Sequence, residues 1–74
     1  MSTLKITVTA SGLNLAGTFV SYINDVKGTC TTAASPECSF PNLKILYGTY
    51  DFDIFEEIKA DELILLGSKS IEVL

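Results

Sequence analysis

Apolar and polar residues alternate along most of this chain with a period of two. Leu4, Ile6, Val8 and Ala10 fall on one side, and Lys5, Thr7 and Thr9 on the other. Successive side chains of a strand point to opposite faces, so this pattern predicts a half-buried first strand. Ser11-Gly12 and Asn14 supply a turn. Gly17-Thr18-Phe19-Val20-Ser21-Tyr22-Ile23 is rich in β-branched and aromatic residues and predicts a second strand, stopped by Asn24-Asp25. Residues 28–32 predict a short strand, with Cys38-Ser39-Phe40 as its partner across residues 33–37. Pro36 has no N–H to give to a ladder and belongs in that turn. Tyr50, Phe52 and Ile54 alternate with Asp51 and Asp53 in a strand with one buried and one wet face. Residues 56–61 read as a polar connection with room for one helical turn. Residues 63–66 and 70–74 read as two last strands around Gly67-Ser68. No helix, internal repeat or low-complexity tract stands out. About seven short strands, closely spaced and punctuated by Gly, Pro and Asn, define an all-β sandwich with residues 1–74 as one domain.

Size sharpens this picture. A chain of 74 residues buries only about 60% of the surface its unfolded form exposes, so domains of this size often carry staples. An apolar fraction of 47% is that of a folding chain, not a disordered one. Nine acidic residues against five basic ones, a net charge of −4, argue against nucleic acid, which needs clustered Lys and Arg. No apolar run approaches the roughly 20 residues that span a bilayer. Met1-Ser2-Thr3 leads straight into strand pattern without an export leader, and residues 69–74 still read as strand. Together these favour a segment cut from a longer protein over a complete cytoplasmic one.

The chain has no His and no Trp. Most zinc sites, Ser-His-Asp triads and imidazole bases are therefore out of reach, no nucleophile has a base, and neither an enzyme nor a cofactor is expected. Cys30 and Cys38 are the only cysteines. Two thiolates without His fall short of a four-ligand zinc site, and seven intervening residues in a strand-rich segment are not a redox Cys-x-x-Cys. A disulfide across a hairpin and two reduced, buried thiols remain. With the turn centred on Ala34 the two positions face each other, which favours the disulfide. Closing so short a loop contributes about 2.5 kcal/mol in the chain-entropy model and implies an extracytoplasmic home.

Three stretches resemble carboxypeptidase regulatory-like domains. Asn14-Leu15-Ala16-Gly17-Thr18-Phe19-Val20-Ser21-Tyr22 is similar to that family's PLAGATVSV opening. Thr31-Thr32, then Cys38-Ser39-Phe40-Pro41-Asn42-Leu43 and Gly48-Thr49-Tyr50-Asp51-Phe52-Asp53-Ile54, resemble its TTDADGEFSFPNLPPGTYTLTV segment. Residues 63–74 resemble its closing strands. The resemblance covers nearly the whole chain and implies a prealbumin-like Greek-key sandwich, a fold shared with collagen-adhesin B-type repeats. It implies that Val20 and Tyr22 face the core and that Phe40 and Leu43 plug one end, with Pro41 breaking the ladder between them. Gly48 allows a tight approach to Tyr50, whose hydroxyl reaches a backbone partner. Cys38 stands where the family usually has Phe, and Ser35-Pro36 replaces its Asp-Gly turn.

The functions of relatives do not carry over. Some hold a Lys–Asn isopeptide bond, but Lys5 points to solvent, Ile54 occupies the position of the acid, and no Asn lies on the last strand. The transthyretin-like hydrolase of a purine-degradation intermediate resembles a His/Arg site that this chain lacks. Asp51 and Asp53 lie two apart on one face, roughly 7 Å from each other. They are the weak calcium candidates, and a solvated face is the commoner reason for such a pair. Phe19, Ile23 and Phe55 share outward parity and Tyr47 sits in a loop, which makes these four the candidate contact surface. The expectation is a non-catalytic structural or interaction module of a larger exported or cell-surface protein. It would serve as a rigid spacer and as a surface for neighbouring domains or another surface protein. The alternatives are a self-assembling subunit of a surface layer or filament, joined through edge strands, and a weak carbohydrate-binding module using Tyr47, Phe19 and Phe55.

Overall fold

Two consecutive residues in the left-handed region, Asn24 (φ 48°) and Asp25 (φ 62°), turn the chain back on itself. Both central positions of a type I′ turn need positive φ, which Asn and Asp tolerate better than most side chains. The result is a tight hairpin between β2 (Leu15–Ile23) and β3 (Val26–Ser35). The computed structural model describes residues 1–9 and 15–74. The remaining strands are β1 (Ser2–Thr9), β4 (Glu37–Ile45), β5 (Gly48–Lys59) and β6 (Glu62–Val73). They form two antiparallel sheets, one of order β1-β4 and one of order β3-β2-β5-β6, packed as an all-β sandwich. The turn expected at Ser11-Gly12 and Asn14 lies outside the described residues.

Six strands stand where about seven are expected, because residues 62–73 form one strand. Gly67-Ser68 is not a turn. Gly67 pairs with Ile54 and Ser68 with Asp53, and a bulge between Ile54 and Phe55 leaves Leu66 as the extra residue. Residues 56–59 extend β5 instead of forming a polar connection, and the hairpin turns at 60–61, where Asp61 has φ 64°. Pro36 sits at the bend between β3 and β4, as its missing donor requires.

The core lies between the sheets. Phe19 and Ile23 of β2, Phe52 of β5 and Val73 of β6 meet Cys38, Phe40, Leu43 and Ile45 of β4. Phe40 and Phe52 stack edge-on at 5.9 Å. The ladder between β1 and β4 breaks between Leu4 and Ile6, opposite Pro41 and Asn42, and Asn42 takes φ 60° there. This break turns Phe40 and Leu43 both inward, as the resemblance implies. An alanine Cβ at Gly48 (φ 151°) would lie 2.9 Å from the Tyr50 hydroxyl, which donates to the carbonyl of Tyr47 at 3.3 Å.

Strand β2 has the opposite facing to the one expected. Phe19 and Ile23 are 3% and 0% exposed and point into the core, so they are not contact-surface residues. Val20 and Tyr22 lie on the other face. Apolar residues occupy both parities of Phe-Val-Ser-Tyr-Ile, so alternation cannot choose between them. Pairing does: Phe19 lies opposite Cys30, Ser21 opposite Gly28, and Ile23 opposite Phe52. Val20 is buried as well, in register with Phe55.

The same pairing buries Ser21 completely, and its hydroxyl has no hydrogen-bond partner among the described residues. A Cβ on Gly28 would lie 2.6 Å from that Oγ and 3.1 Å from Phe40, so glycine is what lets the sheets approach here. A buried hydroxyl without a partner pays its full desolvation cost. Ser21→Ala is therefore expected to stabilise the fold by about 1 kcal/mol, read as a higher urea midpoint at unchanged slope. A lower midpoint would mean that the hydroxyl is satisfied.

At one end of the sandwich the Ser2 hydroxyl donates to the Leu74 carbonyl, bringing the start of β1 against the end of β6.

Candidate interaction surface

The two cysteines form a disulfide with Cα atoms 6.0 Å apart, but not across a hairpin. Strand β3 pairs with β2, and β4 pairs with β1, so Cys30 and Cys38 belong to different sheets. Packed sheets stand about 10 Å apart face to face, so the bridge marks a place where they converge. Ser35, Pro36 and Glu37 carry the chain from one sheet to the other, within the loop that the bridge closes. The Glu37 amide donates to the Ser35 hydroxyl at 3.2 Å, fixing that corner.

The structure does not gather the four expected contact residues. Phe19 and Ile23 are core. Phe55 is half-buried on the outer face of the four-stranded sheet, where its ring meets the edge of Tyr22 at 5.9 Å. Tyr47 is exposed, but it precedes Gly48, which pairs with Val73 at the far end of the β5–β6 ladder from the 60–61 turn. With Phe19 buried, no aromatic platform for sugar forms from Tyr47, Phe19 and Phe55.

Asp51 and Asp53 share the outer face, opposite Ser70 and Ser68. Asp53 accepts a 2.6 Å hydrogen bond from the Ser68 hydroxyl. Among the described residues no group of three or more His, Cys, Asp or Glu side chains converges as a metal site. Lys5 is exposed, as its parity requires.

The apolar surface lies elsewhere. Ile58, Leu63, Ile64, Leu65 and Leu66 are 38–57% exposed, all around the β5–β6 hairpin. Strand β6 is the edge of its sheet, so this run also carries backbone groups that point away from β5 without a strand beside them among the described residues. Across the turn Lys59 and Glu62 form an exposed 3.4 Å ion pair, which adds little stability. The run is plain in the sequence as a strand. Only the topology shows that it is an edge.

An open cleft of about 470 Å³ lies where β1 stands over β5 and β6, with Ile6, Val8, Phe52, Ile54 and Lys69 among its lining. The two-stranded sheet does not fully cover the four-stranded one there. Thr9 also lines the cleft, and the chain continues from it into residues outside the described set.

No family model, no curated protein and no solved structure matches this chain.

Proposed function

We propose that this chain is a non-catalytic structural or interaction module of a larger exported or cell-surface protein, and that the β5–β6 edge is the surface it presents. One observation carries the reading: four consecutive apolar residues, Leu63 to Leu66, stand exposed on an edge strand. Proteins that gain nothing from edge pairing blunt their edges with lysine, proline or inward-pointing charge. Residues 63–66 hold no charge and no proline, the bulge at Leu66 being the one such device among them, and contiguous exposed apolar surface marks a contact site. Two further points support the setting. The inter-sheet disulfide is compatible with an oxidising, extracellular location. The likeness to carboxypeptidase regulatory-like domains points to modules that sit beside other domains, so the neighbours in a parent chain or another surface protein are the proposed partners.

The test separates a presented surface from a structural one. Leu63→Lys with Leu65→Lys places two charges on the run. If the run is a contact surface, the double variant still unfolds cooperatively, with a stability change below about 1 kcal/mol, as for ordinary surface substitutions. Loss of the folded state on urea titration or by circular dichroism would make the run part of the folding core and end this reading.

A further inference from the structure

We infer that the partner of this edge is a second copy of the chain, joined β6 to β6 in an antiparallel pairing about a twofold axis between Leu65 and Leu66. The inference rests on the reading of β6 as the presented surface. Its basis is the register that the bulge at Leu66 imposes.

A twofold axis perpendicular to a sheet turns a strand into an antiparallel neighbour and keeps each side chain on its face. Directly opposed residues must therefore share a face. On β6 the faces change phase at the bulge. Leu63 and Leu65 lie opposite Glu57 and Phe55 on the outer face, and Ser68 and Ser70 lie opposite Asp53 and Asp51 on that same face. Ile64, Gly67, Lys69 and Ile71 pair with Glu56, Ile54, Phe52 and Tyr50 and so lie on the inner face. Glu62, two residues before Ile64 in the strand, joins them.

Centred between Leu65 and Leu66, the pairing sets Leu65 against Leu66 of the second copy and Leu63 against Ser68. It sets Ile64 against Gly67, where an added Cβ would meet nothing within 4 Å, so the branched side chain has room. It sets Glu62 against Lys69, on one face, twice by symmetry. Neighbouring registers lose this match. Centred on Ile64, Glu62 faces Gly67 and Lys69 falls opposite residue 60, in the turn. Centred on Gly67, Ile64 faces Lys69 and Glu62 faces Ile71. Of these three registers only the one centred between Leu65 and Leu66 matches shape and charge together.

The other free edge of the same sheet is a poorer partner. Strand β3 carries threonine at 29, 31 and 32 and a single charge, Lys27. It would set polar residues against the leucines, and such a head-to-tail contact would build rings or filaments of more than two copies. Pairing β6 with itself closes as a dimer and joins two four-stranded sheets into one.

Sedimentation equilibrium of the oxidised chain over micromolar to millimolar concentrations tests this, with Glu62→Lys, Lys69→Glu and the double reversal. Each single reversal breaks two opposite-charge pairs and sets like charges in their place, and is expected to weaken the dimer by about tenfold. The double reversal restores both pairs at unchanged net charge and should return the dissociation constant to within about threefold of the parent's. If net charge alone governed association, Glu62→Lys would tighten the dimer while Lys69→Glu weakened it, and that result overturns the register. Oligomers that grow beyond two with concentration overturn it in favour of β6 on β3. A chain monomeric throughout overturns the inference, while a folded Leu63→Lys/Leu65→Lys variant would leave the module reading standing with a different protein as partner.

Discussion

Replacing Phe40 with alanine is expected to destabilise the protein by about 3–5 kcal/mol, the range for deleting a buried phenylalanine. Phe40 is fully buried and reaches from β4 across the sandwich to Phe52 of β5. Its removal takes away the transfer energy of the ring, the edge-on contact and the atoms filling the gap between sheets. A domain of this size has roughly 4–11 kcal/mol of stability in all, so the loss is a large share of it. For a 60–100-residue chain this corresponds to a fall in the thermal midpoint of roughly 15–30 °C. Phe40→Leu, which keeps much of the volume, should lose far less. The check is a pair of thermal unfolding curves on the oxidised proteins. A drop of only a few degrees for the alanine variant would mean that the sheets collapse onto the vacated space and that Phe40 is not the link between them.

Removing the disulfide is the second large effect. Cys30→Ala with Cys38→Ala, or reduction of the parent protein, is expected to lower stability by about 2–4 kcal/mol. The chain-entropy share is about 2.5 kcal/mol for so short a loop, and in the alanine variant the buried Cys38 sulfur is lost from the core as well. The position of the bond adds a sharper expectation. It joins β3 of one sheet to β4 of the other, while β2–β3 pairing does not depend on it. Amide exchange in the reduced protein should therefore quicken first in β1 and β4, which hydrogen-bond only to each other, with β2 and β5 more protected. Equal loss of protection in both sheets would show that the sandwich opens only as a whole.

How much of this was legible depends on whether the information is local. Strands β1 and β5 could be read directly, because Leu4, Ile6 and Val8, and then Tyr50, Phe52 and Ile54, occupy a single parity. Strand β2 could not, since Phe19, Val20, Tyr22 and Ile23 are apolar on both parities and the choice is made by Gly28 and Phe52 on neighbouring strands. The continuity of β6 was hidden for a similar reason. Gly67-Ser68 has turn chemistry, yet Ile54 and Asp53 hold it in the ladder, and Gly67 does not use positive φ. The nearness of the cysteines was legible from their spacing. Their membership of different sheets was not, because a hairpin and an arch between sheets give the same separation along the chain. The exposed run at 63–66 was visible as apolar, but exposure at an edge is a property of strand order, which no short stretch encodes.

The contact between Ser2 and Leu74 has a mechanical consequence. Any chain continuing from the two ends would leave the sandwich side by side, so the module would hang from its neighbours as a pendant and add almost no length between them. A pull on those two ends would draw β1 away from β4 and β6 away from β5 from a shared corner. Hydrogen bonds loaded in that way break one after another, as in a zipper, instead of resisting together in shear. Such a body suits a role in which it displays a face at a fixed point, and it is poorly suited to bearing tension along a fibre.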